Sequence, residues 1–143
     1  MIPVPTPDAD TLPYWEGLAN GELRIQRCRQ CRRFQHFPAP ACSTCCSMDL
    51  DFEPVSGRGR IETYVVVEHA PSPVFASRTP YVVAWVELPE QPHLRVLGDI
   101  VGCAPEEVRI GLEVGVVIDR IDTGDGQTVA LPRFRPFEEV SCA

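Results

Sequence analysis

Cys28-Arg29-Gln30-Cys31-Arg32-Arg33-Phe34-Gln35-His36-Phe37-Pro38-Ala39-Pro40-Ala41-Cys42-Ser43-Thr44-Cys45-Cys46 is the stretch that decides the fold. It holds two CxxC pairs, with 10 residues between Cys31 and Cys42. Each pair sets two thiolates on one tight turn, and the short return lets the turns face each other. Four sulfurs so placed form the tetrahedral cage that Zn²⁺ prefers. A closed Cys₄ cage leaves no open position for water or substrate, so its role is structural, with one zinc per chain bound by Cys28, Cys31, Cys42 and Cys45. Redox dithiol, iron–sulfur and disulfide readings share the spacing but fit it less well. His36 has no place in a shell already filled by four cysteines. Cys46 reads as a spare thiol for the same reason.

Working outward, 143 residues fit one domain or two small modules, and 44% hydrophobic content can build a core. No apolar run approaches the ~18 residues of a membrane span. The start, Met1-Ile2-Pro3-Val4, lacks the pattern of a signal peptide. Cysteines in metal spacing suit a reducing compartment, so the expected location is the cytoplasm. Thirteen basic against twenty acidic residues give a net charge of −7, and every basic residue is Arg. That balance argues against a general nucleic-acid binder. Arg24, Arg27, Arg29, Arg32 and Arg33 crowd the first knuckle. They read as a solvated surface, or as a site for phosphate or an acidic partner through Arg29 and Arg32.

Before the knuckles, Asp10 or Thr11 is placed to cap a short helix ending near Asn20, with Gly21 as its stop. Tyr14, Trp15 and Leu18 share the side that docks on the body. After Pro54 the texture becomes β-rich. Strands are expected at Ile61–His69, with Ile61, Thr63, Val65 and Val67 on one face, and at Tyr81–Leu88, Leu94–Val101, Glu113–Ile121 and Gln127–Leu131. A helical turn at Pro105–Val108 falls between the third and fourth. Five strands with a helical element at that point is the order of an OB-fold barrel. The expected fold is therefore mainly β, a short N-terminal helix and rubredoxin-like zinc ribbon over 1–54 followed by a five-stranded OB barrel over 55–143. The final Pro132–Phe137 run reads as extended, its two phenylalanines covering the barrel or meeting a partner.

Tyr14-Trp15-Glu16-Gly17-Leu18, Gly21-Glu22-Leu23, the four cysteines, Gly57-Arg58-Gly59, Thr63-Tyr64, Pro80-Tyr81-Val82-Val83-Ala84, Ile110-Gly111 and Leu131-Pro132-Arg133-Phe134 occur in this order over about residues 8 to 138. In that order and spacing the chain resembles the domain-of-unknown-function-35 family, zinc-ribbon/OB-fold proteins of acyl-CoA metabolism. The resemblance implies a non-catalytic accessory subunit of a thiolase-like acyltransferase, condensing or retro-aldol enzyme. Such enzymes serve steroid side-chain degradation, archaeal isoprenoid synthesis or the acylation of phenolic polyketides. It also implies acyl-CoA or another acylated substrate held mainly by the partner. One departure stands out: the family commonly has Gly after the last cysteine, where this chain has Cys46.

Two other functions fit some of the residues. Zinc ribbons and OB barrels both occur in single-stranded nucleic-acid binders, whose aromatics stack on bases. Cys103 with His69 or His93 can be drawn as a thiol–imidazole pair of an independent acyl-transfer enzyme. The segment Ala70–Pro80 is long for a hairpin connection and stiffened by three prolines. Phe75 at its apolar tip and the charge of Arg78 mark it as a partner or ligand contact, or else as a lid folded back on the barrel.

Overall fold

The computed structural model describes residues 3–137. Met1, Ile2, Cys142 and the rest of the tail lie outside the described residues. The first element is α1 (Leu12–Ala19). Thr11, one of the two expected residues, stands at the N-cap, but its hydroxyl caps no helix N–H and turns to Asp8 instead. The Asp8 carboxylate accepts the N–H groups of Asp10 (3.1 Å) and Thr11 (2.9 Å), and Thr11 Oγ1 accepts the Asp8 N–H (3.0 Å). This reciprocal pair fixes the turn that leads into the helix. At the other end Gly21 takes φ 83°. The N–H groups of Gly21 and Glu22 then reach back to Leu18 (3.0 Å) and Gly17 (2.8 Å). Tyr14 and Leu18 are buried on the docking side, with Trp15 packed beside them.

Strands β1 (Arg24–Cys28), β2 (Phe34–Gln35) and β3 (Leu50–Pro54) form an antiparallel sheet in the order β2-β1-β3. One polar side chain organises its interior. Gln26, 4% exposed, accepts from Gln35 Nε2 (2.6 Å) and the Ala39 N–H (2.9 Å) and donates to the Ala39 carbonyl (3.0 Å). Gln35 in turn holds Ala41 and Ser43. The two amides thus tie the link between the knuckles to the sheet, with no buried polar atom of Gln26 left wanting.

Strands β4 (Arg58–Val67), β5 (Tyr81–Glu87), β6 (Arg95–Ile100), β7 (Glu113–Asp122) and β8 (Thr128–Pro136) close into a barrel in the order β4-β5-β6-β8-β7. A 3₁₀ turn at Pro105–Glu107 lies between β6 and β7. All pairs are antiparallel except β6 with β8. This is the expected OB-fold barrel, with two local corrections. A register shift between Ile61 and Thr63 separates Ile61, 1% exposed, from Val65, 60% exposed, so the four β4 residues do not share one face. A bulge inverts the alternation beyond it. The last strand also runs past Leu131 to Pro136. Pro132 is tolerated because β8 joins β6 only from Arg133 on, where a missing N–H costs no ladder bond. Phe134 is fully buried, rather than covering the outside, and lies against Gly98. A Cβ at Gly98 would come within 2.9 Å of its ring.

Sheet and barrel share one core: Leu18, Leu23 and Ile25 belong to the same buried cluster as Val82, Val96 and Phe134. The turn before β6 adds a polar clamp. Gln91 accepts the Phe34 N–H (2.9 Å) and donates to the Phe34 carbonyl (3.0 Å), acting as one more rung on β2. Next to it Glu90 accepts the Ser56 N–H (2.7 Å). From the far side of the barrel Arg120 reaches the Ala19 carbonyl (2.8 Å) at the end of α1. Gln91→Glu keeps the size but removes the donor and faces an oxygen with a carboxylate. It is expected to lower stability by about 1–3 kcal/mol, read by urea denaturation, and an unchanged midpoint would show the clamp to be idle.

Candidate metal centre and partner surface

Each CxxC folds into the same knuckle. In the first, the Arg32 N–H donates to the Cys28 carbonyl (3.0 Å) and the Cys28 N–H to the Arg33 carbonyl (2.9 Å). In the second, the Cys46 N–H donates to the Cys42 carbonyl (2.9 Å) and the Cys42 N–H to the Ser47 carbonyl (2.8 Å). Backbone N–H groups also point at sulfur, Cys31 N to Cys28 Sγ (3.5 Å) and Thr44 N to Cys42 Sγ (3.4 Å). Such bonds favour thiolate. They hold the Cys28 thiol below its ordinary range, and the N–H groups of Cys45 and Thr44 pull that of Cys42 down to about 6. At Cys45 the Ser47 N–H is outweighed by burial and the neighbouring sulfurs of Cys28, Cys31 and Cys42, which push its thiol up to about 12.

The four sulfurs fit a four-coordinate zinc. Cys28 and Cys45 are 3.6 Å apart, as are Cys31 and Cys42, and all four lie within 4.8 Å of one another. Zn–S bonds of about 2.3 Å in a tetrahedron would put sulfurs about 3.8 Å apart. His36 is elsewhere, packed between Tyr14 (5.3 Å) and Phe37 (4.7 Å).

The arginines around the first knuckle meet acids on β3 and the turn before it. Arg27 and Arg32 both reach Glu53 (2.8 and 3.1 Å), and Arg29 reaches Asp51 (2.6 Å) with Asp49 at 3.8 Å. The Arg29 hydrogen bond holds the Asp51 carboxyl below the usual carboxylate range. The surface is therefore largely neutralised, which weakens it as a phosphate site. Sequence reading saw the basic run but not the acids that fold against Arg27, Arg29 and Arg32, 20 or more residues away.

The Ala70–Pro80 segment carries one helical turn, α2 (Pro73–Ala76). Arg78 bonds Asp99 on β6 (2.5 Å) and lies over the Tyr81 ring (5.2 Å). Phe75 is half-buried and lines a pocket instead of standing proud. Beside it Phe37 and Leu97 remain 64% and 42% exposed. Cys103 is half-buried, and burial together with Glu107 pushes its thiol up. Among the described residues no hydrogen bond joins it to His69 or His93, and the His93 N–H goes to Glu87 (2.9 Å).

Arg32 and Cys46, each one residue past a CxxC, have φ of 65° and 62°. A left-handed non-glycine residue costs ~1–2 kcal/mol, against ~0.5–1 kcal/mol for the extra unfolded-state freedom of glycine. Cys46→Gly is accordingly expected to raise stability by roughly 0.5–1 kcal/mol, while Cys46→Ser leaves metal content unchanged. Calorimetry with zinc analysis checks both, and zinc loss in Cys46→Ser would make Cys46 a ligand.

Comparison with known families matches residues 15–51 to the rubredoxin-like zinc ribbon domain of ChsH2 and residues 52–119 to its C-terminal OB-fold domain. The chain is 38% identical over 136 residues to the probable enoyl-CoA hydratase alpha subunit of Thermomonospora curvata, covering 95% of this chain and 40% of that protein. It is 38% identical over 110 residues to the 3-oxo-4,17-pregnadiene-20-carboxyl-CoA hydratase alpha subunit of Mycobacterium tuberculosis, covering 77% of this chain and 34% of that one. It thus spans well under half the length of either hydratase subunit. A DUF35 domain-containing scaffold protein of Methanocaldococcus jannaschii is 39% identical over 116 residues, 78% of this chain and 79% of its own. Among solved structures, a chain of the Ltp2-ChsH2(DUF35) aldolase superposes with TM-score 0.77 at 37% identity, covering 93% of this chain and 98% of that chain. A pair of zinc knuckles joined to a five-stranded barrel, and sequence identity across both, make this chain a member of the DUF35 family.

Proposed function

We propose that the chain is a non-catalytic, zinc-binding accessory subunit that assembles with a thiolase-like acyltransferase, condensing or retro-aldol enzyme. The substrate would be acyl-CoA or another acylated small molecule, held mainly by the partner in the cytoplasm. The observation that carries this reading is the near end-to-end match to a chain of the Ltp2-ChsH2(DUF35) aldolase. The chemistry of the residues agrees with it. Four cysteines converge into a closed cage, and Cys103 has its thiol pushed away from the reactive thiolate form.

One structural zinc per chain follows from the same reading, because the knuckles have little apolar material of their own. Freshly purified protein is expected to carry about one zinc equivalent. Cys28→Ser should lose the metal and unfold the ribbon. Less than half an equivalent in the wild type, with no iron, would overturn the assignment.

The partner surface in this proposal is the α2 loop with Phe75 and Arg78, extended by exposed Phe37 and Leu97. Arg29 and Arg32, in their ion pairs, would supply a separate polar contact on the ribbon. Purified alone, the chain is expected to show no acyl transfer, condensation or thiolysis. With the thiolase-like protein that co-purifies from its native host, turnover should appear. Phe75→Asp should leave the melting temperature little changed and weaken the complex by about 2 kcal/mol or more, roughly thirty-fold in Kd. Robust turnover by the chain alone, abolished in Cys103→Ala, would replace the subunit reading with the enzyme reading.

A further inference from the structure

Beneath α2 lies a pocket of about 390 Å³, at the low end of the ~300–1,000 Å³ usual for small-molecule sites. Three parts of the chain wall it. Tyr14 and Trp15 come from α1, His36 from the link between the knuckles, and Phe75, Val83 and Leu97 from the α2 loop and the barrel's outer face. The wall is thus aromatic and aliphatic. The charges at its edge are spent on each other, Arg78 with Asp99 (2.5 Å) and Arg133 with Asp119 (3.0 Å). An ionic ligand would have to break one of these half-buried pairs to find a counter-charge.

His36 is a polar feature of this wall with no hydrogen bond to its ring among the described residues. Its Nδ1 is sealed from solvent and has no hydrogen-bond partner among the described residues. Burial holds the ring's pKa down to about 4, so the imidazole is neutral near neutral pH. A sealed nitrogen is less costly as a bare lone pair than as an orphaned N–H. The single ring proton therefore sits on Nε2, which gives this mainly apolar wall a neutral donor.

We propose that this pocket binds a small, uncharged ring compound of one or two rings, whose oxygen accepts a hydrogen bond from His36 Nε2. Tyr14, Trp15 and Phe75 supply the faces against which such a ring packs. This site goes beyond the accessory role, shares Phe75 and Leu97 with the proposed partner surface, and is read in the chain alone. Its neutrality sets it against free carboxylates and phosphates.

The test uses the full chain, isotope-labelled, with N–H correlation spectra recorded near neutral pH. Acetophenone, ethylbenzene and benzoate are titrated as probes of one size that differ in oxygen and charge. Acetophenone is expected to shift the Trp15 indole and the Val83 and Leu97 amides saturably. Benzoate should bind at least about ten-fold more weakly, because its carboxylate would lose water and find no free counter-charge. His36→Phe should lower acetophenone affinity about ten-fold and leave ethylbenzene binding unchanged. Leu97→Trp, at a position 42% exposed in the wild type, should fill the pocket and block both neutral probes even if the His36 variant fails to fold. Absence of saturable shifts, benzoate binding as tightly as acetophenone, or acetophenone affinity untouched in a folded His36→Phe protein would each overturn the proposal.

Discussion

The meeting of four sulfurs is the constraint on which the N-terminal part depends. Its strands are 5, 2 and 5 residues long, and the side chains around the knuckles are not a core. Met48 is 79% exposed and Phe37 64%. Fixing backbone costs ~1–2 kcal/mol per residue, and the apolar area available there cannot offset that over two tight loops. Sulfur can, once a metal draws four thiolates together. The consequence reaches beyond the knuckles. With Cys31 and Cys42 held 3.6 Å apart, the link between them must fold back on itself, and Gln26 and Gln35 fasten it there. That return places His36 against Tyr14 and Phe37 near Trp85 on the barrel, ring centroids 6.2 Å apart.

Ribbon and barrel are then joined by apolar burial as well as by Gln91. Because Leu23 and Ile25 lie in the cluster that holds Val96 and Phe134, rocking the ribbon would open the barrel's own core. Close-packed interiors resist this. The α2 loop is fixed to the same frame through Arg78 and Asp99. Three segments distant in sequence are thereby presented as one surface, apolar in the middle and ion-paired at its edge. A net charge of −7 sets the long-range field of the molecule, while that surface sets what it can hold at contact.

How much of this was legible depended on whether a signal was local. The CxxC spacing carries its geometry within four residues, so the ligand cage could be read directly. The strand order of the barrel followed from hydrophobic alternation and turn residues. Features that depend on a partner strand could not be read. The bulge after Ile61 exists because β4 must bend between β5 and β7, and no residue type at Glu62 announces it. Pro132 looked like a strand end until its place beside an unpaired stretch of β6 was known. Gln91 stood in an ordinary Pro-rich turn, and its amide gained meaning only from the backbone of Phe34. The acids that neutralise Arg29 and Arg32 were visible as residues but not as neighbours. The Asp8 turn could have been found, since Asp and Thr three residues apart readily bond each other's backbone.

Two titratable groups outside the cage share one character. Catalysis near neutral pH needs an acid or base whose proton is easily moved. Here Cys103 is driven up by burial and by the charge of Glu107, and His36 is driven down by burial. Cys42 is pulled down by two backbone N–H groups, but its sulfur faces three others and is committed to the cage. The shifts at Cys103 and His36 move both groups away from proton transfer or attack, toward a neutral thiol and a neutral imidazole, while within the cage Cys42 is shifted down and Cys45 up to about 12. Side chains held in this way suit the accessory role proposed above, in which the chain contributes shape and contact.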